Sequence, residues 1–299
     1  MSTLIVIGSS NTDMVVQAAK LPAPGETVLG GTFLLNPGGK GANQAVAAAR
    51  LGARVMLVAK VGNDVFGQQA ILGFEREGIH TEFVSVDEDR PSGVALIGVD
   101  RHGENAIMVA PGANAHLHPA EVELALAAGQ GQPWVLLQLE IPLATVEYAA
   151  REAHDRGWAV ILNPAPAQPL PTSLFPYLYA ITPNETEAEI LTGIPVMDEP
   201  SAVAAAKVLH SLGVPRVIIT LGARGALVSQ PTGTVLLPAP VVQAVDTTAA
   251  GDVFNGALAV ALAENRDLIE SVRFAIRAAA ISVTRLGAQA SAPSRAEVD

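Results

Sequence analysis

The sequence predicts an α/β fold, and three observations carry the expectation. Short β-like apolar runs alternate with longer helical ones, with brief Gly and Pro punctuation between them. The first run, Leu4–Gly8 (LIVIG), is apolar on both faces, as strands of a parallel sheet are. From Trp134 onward the strand–helix rhythm becomes regular.

Taken in order, Leu4–Gly8 opens as a buried strand. Residues 14–35 then break the pattern, with Pro/Gly turns between short extended pieces and no helical stripe. Ala42–Leu51 (ANQAVAAARL) reads as an Ala-rich helix stopped by Gly52. A strand at Val55–Lys60 and a helix around Gln68–Glu77 follow. Gly93–Val99 and Asn105–Val109 flank DRHGE, a hairpin signal with Gly in the turn. After the helix PAEVELALA come strands at 134–139, 159–163, 178–182 and 216–221. Helices are expected near 143–156, 185–192 and 201–212. A last hairpin, ALVSQPTGTVLLP, precedes helices at Asp252–Glu264 and Leu268–Val283. The interruptions near 14–37 and 91–110 read as inserts that form a small β lid over the C-terminal edge of the main sheet, where such folds bind ligands. The whole chain, residues 1–299, is expected to be one domain.

Charge and composition narrow the function. The formal net charge is −11 and no Lys/Arg run occurs, which excludes general nucleic-acid binding but leaves nucleotides and sugars open. With no cysteine there is neither a disulfide framework nor thiolate chemistry, and a reducing cytoplasm is expected. MSTLIVIG has no basic leader region, and no apolar run approaches the ~20 residues of a membrane span.

Two stretches stand out. Asp246–Ala259 (DTTAAGDVFNGALA) places carboxylates at both ends of a loop of very small residues, just before a helix. Backbone N–H groups converge at such a mouth and suit an anion. Asn36–Asn43 (NPGGKGAN) resembles a phosphate cradle. It is not a Walker A loop, because Gly41 follows Lys40 and Leu34 stands where the first Gly should be. Asn11, Asp13, Lys40 and Asn43 lie around this turn and can all bond hydroxyls, so a polyol fits better than a phosphate. Glu140 ends WVLLQLE at a strand's C-terminal edge. Asn184–Glu187 has the form of a capping box. Leu221–Gly225 (LGARG) serves equally as a nucleotide-wrapping turn or a plain strand link. His116 and His118 lack a third ligand nearby and are weak as a metal pair.

Read together, IGSSNTDMV, NPGGKGANQAVAAARLGA, LLQLEIPL, NPAPA, ITPNETEAE, TLGARGA, DTTAAGDVFNGALA and AAAISVTRLGAQAS resemble the phosphofructokinase-B (ribokinase-like) family of carbohydrate kinases, in order and over essentially the whole chain. The resemblance implies a three-layer α/β/α core with a mainly parallel sheet and a β lid. It implies ATP-dependent phosphorylation of D-ribose at O5. A kinase for another furanose or a nucleoside, or a non-catalytic sugar sensor, is the alternative. By resemblance Asp252 is the base, and the N–H groups of Ala249, Ala250, Gly251 and Asp252 form the anion hole. Asn11, Asp13, Gly39, Lys40, Asn43 and Glu140 match sugar-binding positions. Asn184, Thr220, Gly222, Arg224, Gly225 and Gly251 match nucleotide-binding ones, with Glu187 positioning hydrated Mg²⁺. Asp246, Thr248, Ser282, Arg285, Gly287 and Ser291 match a monovalent-cation site, with K⁺ expected. Family members pair their lids, so a homodimer is expected, covering the short edge strands.

Overall fold

The computed structural model describes residues 3–299. In chain order its strands are β1 (Thr3–Ile7), β2 (Asn11–Gln17), β3 (Thr32–Gly38), β4 (Arg54–Gly62), β5 (His80–Asp87), β6 (Gly93–Val99), β7 (Asn105–Ala110), β8 (Trp134–Leu137), β9 (Val160–Leu162), β10 (Ala180–Ile181), β11 (Val217–Thr220), β12 (Ala226–Gln230) and β13 (Gly233–Leu237). The helices are α1 (Lys40–Arg50), α2 (Val65–Arg76), α3 (Pro119–Ala128), α4 (Leu143–Asp155), α5 (Glu185–Thr192), α6 (Glu199–Ser211), α7 (Ala250–Ala263), α8 (Leu268–Ser282) and α9 (Arg295–Val298).

The main sheet runs in the order β13-β12-β11-β10-β9-β8-β1-β4-β5. From β11 to β5 every pairing is parallel, and β12 and β13 close one edge as an antiparallel hairpin. Successive residues of a strand point to opposite faces, and here both faces are covered. Leu4 and Val6 join the core under α1, α7 and α8, whereas Ile5 and Ile7 join the one under α3, α4 and α6. That division explains why LIVIG carries no polar residue. Helix α7 is buried from Asp252 to Leu262, packed between α1 and α8, so its apolar surface goes nearly all the way round.

A second sheet, β3-β2-β6-β7, is built from the two inserts. Its hairpins β2/β3 and β6/β7 are antiparallel and join through a parallel β2/β6 pair. Its strands lie at 11–17, 32–38, 93–99 and 105–110, close to the expected inserts.

Some elements differ from expectation. β5 (HTEFVSVD) has no counterpart in the sequence reading: it is a half-buried edge strand with a weak apolar signal. β8 stops at Leu137 rather than residue 139, because Leu139 N–H bonds Ala165 O outside the regular ladder. Among the described residues no helix is long and apolar enough to cross a membrane.

Candidate active site

The site begins where β1 meets the start of α1. A Cβ at Gly41 would lie 2.6 Å from Gly8 C and Ser9 N, so the helix mouth sits directly on the end of the strand. Gly39 holds φ at 88°, a left-handed value that glycine adopts without steric cost. As the N-cap of α1 it has no side chain to bond the helix's free N–H groups. Glu140 supplies the acceptor instead: its Oε2 takes the Lys40 N–H at 3.0 Å and the Ser9 hydroxyl. A strand-end carboxylate thus caps a helix 100 residues away in sequence.

From Ser10 the chain crosses into the small sheet, and Asn114 fixes the crossing. Its side chain accepts from Ser10 N–H at 2.9 Å, donates to Ser10 O at 3.0 Å, and donates to Asn11 Oδ1 at 2.8 Å. Asp13 follows on β2, opposite Asn36 of β3. Space for its carboxylate comes from Gly38, where a Cβ would stand 2.3 Å from Asp13 Oδ2.

Asp252 lies in the first turn of α7 and is only 5% exposed. Asn43 Nδ2 donates to its Oδ2 at 2.9 Å, and Gln44 Nε2 donates to its Oδ1 at 3.0 Å. Burial pushes the carboxyl's pKa up, against the pull of Lys40 and the two amides. Asp13 is raised to about 6, first by burial and then by Glu140 and Asp252, with Lys40 offsetting part. Burial lowers Lys40, but the fields of Asp252, Glu140, Glu187 and Asp13 outweigh it and hold the ammonium charged. One cation therefore stands among four carboxylates, in a space rich in hydroxyl-bonding groups. Asn43 Oδ1, buried and without a partner, adds an open acceptor.

Next to Asp252 is the anion mouth. Ala249, the N-cap of α7, adopts the left-handed region with φ 58°, uncommon for alanine. Ala250 N–H donates to Thr247 O at 3.3 Å. Among the described residues no partner appears for the N–H groups of Ala249, Gly251 and Asp252. Around the positive end of α7 these donors are aimed at an anion.

The nucleotide candidates gather at the ends of β10 and β11. Asn184 and Thr220 form a parallel bridge, and Gly222 and Gly225 take φ of 55° and 98° in the turn that follows. Arg224 reaches back to Met197 O at 2.8 Å and Glu185 Oε1 at 3.1 Å. The capping box at Asn184 forms in full: Asn184 Oδ1 accepts Glu187 N–H, and Glu187 Oε2 accepts Asn184 N–H. Glu187 Oε1 stays outside the cap, and burial raises this carboxyl's pKa.

Asp246 joins two loops. Its Oδ1 accepts Thr248 N–H and its Oδ2 accepts Gly287 N–H, both at 2.9 Å, while Val245 and Asp246 N–H both reach Val283 O. Burial alone would raise this carboxyl, but the three hydrogen bonds from Thr248 and Gly287 hold it below the ordinary value. The hydroxyls of Ser282 and Ser291 donate to Ala279 O and Ala288 O, and Arg285 pairs with Glu297. Thr248, Ser282, Gly287 and Ser291 thus lie on the segments that Asp246 ties together.

His118 is the N-cap of α3 and meets His116 edge to face, with ring centroids 6.1 Å apart. Four residues at the site carried no signal in the sequence: Ser9, Gln44, Asn114 and Gln138. Each acts through a partner at least 94 positions distant. A cavity of about 590 Å³ also runs from Asn11 and Gly38 along α2 to Arg50 and Gln289, touching this constellation only at its edge.

Comparison with known proteins supplies the context. The family described as pfkB family carbohydrate kinase matches residues 1–295. The chain is 48% identical to a ribokinase of Haemophilus influenzae, over 99% of this chain and 96% of that protein. It is 40% identical to a deoxyribokinase of Salmonella typhi, over 97% and 95%. A solved ribokinase of Arabidopsis thaliana, described as complexed with ribose and ATP, superposes with a TM-score of 0.91 at 34% identity, covering 100% of this chain and 98% of that one. The chain belongs to the pfkB family of carbohydrate kinases.

Proposed function

We propose that the protein is a ribokinase, transferring the γ-phosphoryl group of ATP to O5 of D-ribose. The observation that carries this reading is Asp252, a buried carboxylate held by two amides beside the free N–H groups of α7. Burial raises this carboxyl's pKa above the ordinary carboxylate value, which strengthens it as a proton acceptor. Asp252 takes the proton of the O5 hydroxyl as O5 bonds to the γ-phosphorus. The bond from that phosphorus to the β–γ bridging oxygen breaks, and ADP leaves. Charge growing on the transferred group meets the N–H groups of Ala249, Gly251 and Asp252, fixed before the reaction starts. Ala250 N–H joins them by giving up its long bond to Thr247 O.

The sugar lies against Asn11, Asp13, Gly39, Lys40 and Asn43, with Glu140 holding the α1 mouth in shape. Asn184, Thr220, Gly222, Arg224 and Gly225 line the nucleotide's path. Glu187, with Oε1 outside its cap, suits a hydrated Mg²⁺, which supplies neutralisation of phosphate charge when bound. The oxygen-rich segments joined by Asp246 suit a weakly dehydrating monovalent cation such as K⁺, held by Asp246, Thr248 and the chain at Ser282, Arg285, Gly287 and Ser291. In this reading the small sheet is a lid, and its exposed apolar side is the contact of a homodimer. Phe33, Leu96 and Met108, which share a face by register, are 61%, 46% and 69% exposed there.

The test is a coupled ADP-release assay with ribose, 2-deoxyribose, fructose and adenosine, each with K⁺ and with Na⁺ at constant ionic strength. Ribose should give the highest kcat/KM, and K⁺ should raise it. A higher kcat/KM for another substrate overturns the choice of sugar, and indifference to the cation overturns the role given to Asp246.

A further inference from the structure

We propose that Gln44 is a positioning residue for Asp252, fixing the rotation of the carboxylate so that Oδ2 faces the sugar hydroxyl. This rests on the reading of Asp252 as the base.

The hydrogen bonds determine which way round the amides lie. Gln44 Nε2 spends both hydrogens on oxygens, Asp252 Oδ1 and Asn163 Oδ1, each at 3.0 Å. Its Oε1 accepts from Gln138 Nε2 at 2.6 Å. Reversing the Gln44 amide would set its oxygen against two others, one of them charged, and would leave Gln138 facing an NH₂ group. Gln138 thereby locks Gln44, and Gln44 locks Asp252. On the far side the network closes on the same turn of α7. Asn163 Nδ2 donates to Thr182 O, the Thr182 hydroxyl to Asn255 Oδ1, and Asn255 Nδ2 to Gly251 O. The ends of β8, β9 and β10 thus hold both the carboxylate and the peptide beside it.

Gln138 shows that this arrangement serves more than packing. It is fully buried, yet its Oε1 has no partner. An apolar side chain of the same size would remove that orphan but leave Gln44 Oε1, whose one partner is Gln138 Nε2, unpaired in its place. The fold even makes room for the amide: a Cβ at Gly8 would stand 2.0 Å from Gln138 Oε1. Stability alone is thus indifferent to a glutamine here, whereas the orientation of Gln44 depends on its N–H.

The experiment compares Gln44→Met, Gln138→Met and the double variant, measuring kcat against pH at saturating ribose and ATP, with thermal melting alongside. The charged groups facing Asp252, namely Lys40, Glu140, Asp13 and Glu187, are the same in all three variants. Gln44→Met should lose kcat on the order of 10²-fold, with the ribose KM within about threefold. Because a lost donor disfavours the ionised carboxylate, the acidic limb of the kcat profile should move up by roughly one pH unit. Gln138→Met should lose kcat about tenfold while its melting temperature changes little, since one orphaned oxygen replaces another. The double variant should be no slower than Gln44→Met, since Gln138 acts through Gln44.

Near-normal kcat in Gln44→Met overturns the proposal, as does a fall in kcat with the acidic limb unmoved. Additive losses in the double variant also overturn it. If Gln44→Met does not fold, Gln138→Met decides: unchanged kcat, or loss in step with melting temperature, counts against the proposal. A wild-type protein that does not phosphorylate ribose, or an active Asp252→Asn variant, would instead overturn the underlying reading.

Discussion

In the proposed function, Asp252 and Asp13 are neighbouring acids with different tasks, and pH can separate them. Asp252→Asn keeps the shape but removes the proton acceptor. Turnover should fall by at least ~10³-fold while ribose still binds within a few-fold of wild type by calorimetry; near-normal turnover would show the base to be elsewhere. Asp13, raised to about 6, accepts hydroxyl hydrogen bonds on both oxygens, and most strongly, only when ionised. Ribose affinity should therefore weaken as pH falls below about 6, approaching tenfold per unit, and a flat profile between pH 7 and 5 would contradict this. The stability sign runs the other way. A carboxyl raised from 3.8 to about 6 opposes folding once ionised, so its cost is absent below pH 3.8 and grows up to pH 6. Asp13→Asn should accordingly stabilise the unliganded protein at pH 7, by at most on the order of 2–3 kcal/mol, and leave it little changed at pH 4.

At the scale of elements, two glycines at helix mouths make opposite predictions. At Gly41 of α1 a Cβ meets backbone at 2.6 Å. Gly41→Ala should cost about 2 kcal/mol or more in denaturant unfolding, because neither β1 nor α1 can yield without moving the core. At Gly251 of α7 a Cβ meets nothing within 4 Å. Gly251→Ala should be neutral or stabilise by about 0.5–1 kcal/mol, yet lose turnover, since the methyl occupies the space in front of the free N–H groups. Equal stability effects of the two substitutions would refute the distinction. Such elements were largely legible in the sequence: apolar periodicity placed α1, α4, α5, α7 and α8 within a few residues of their observed ends. β5 was not, because an edge strand buries too little apolar surface to stand out. Nor were the partners of Asp252. Gln44 lies 208 positions from it and Gln138 lies 94 from Gln44, and no local pattern marks a hydrogen bond that only the folded sheet creates. Gly39, Lys40 and Asn43 stand out because Asn36–Asn43 is a locally distinctive turn into a helix, whereas Gln44, one residue further along α1, and Gln138, just past β8, carry no such mark.

The molecule as a whole presents two sheets of unlike character. The main one is buried on both faces, whereas the small one shows Phe33, Leu96 and Met108 to solvent on one face. If that face is covered by a second copy, sedimentation at micromolar concentration should give a dimer. Phe33→Glu with Met108→Glu should then give a monomer, because buried carboxylates are costly to desolvate; a wild-type monomer would refute the pairing. The division between sheets also bears on selectivity. Asn11 and Asp13 ride on β2, while Lys40, Asn43, Glu140 and Asp252 belong to the main framework. On the proposed function, a sugar bonding to both groups would be a pin across a seam, and part of its binding energy would hold the two sides in register. On that reading a sugar missing the hydroxyl that meets Asp13 leaves the seam unpinned, so its handicap falls on the rate of the bound complex as well as on its occupancy. A competition for binding would then understate how sharply the enzyme discriminates between sugars.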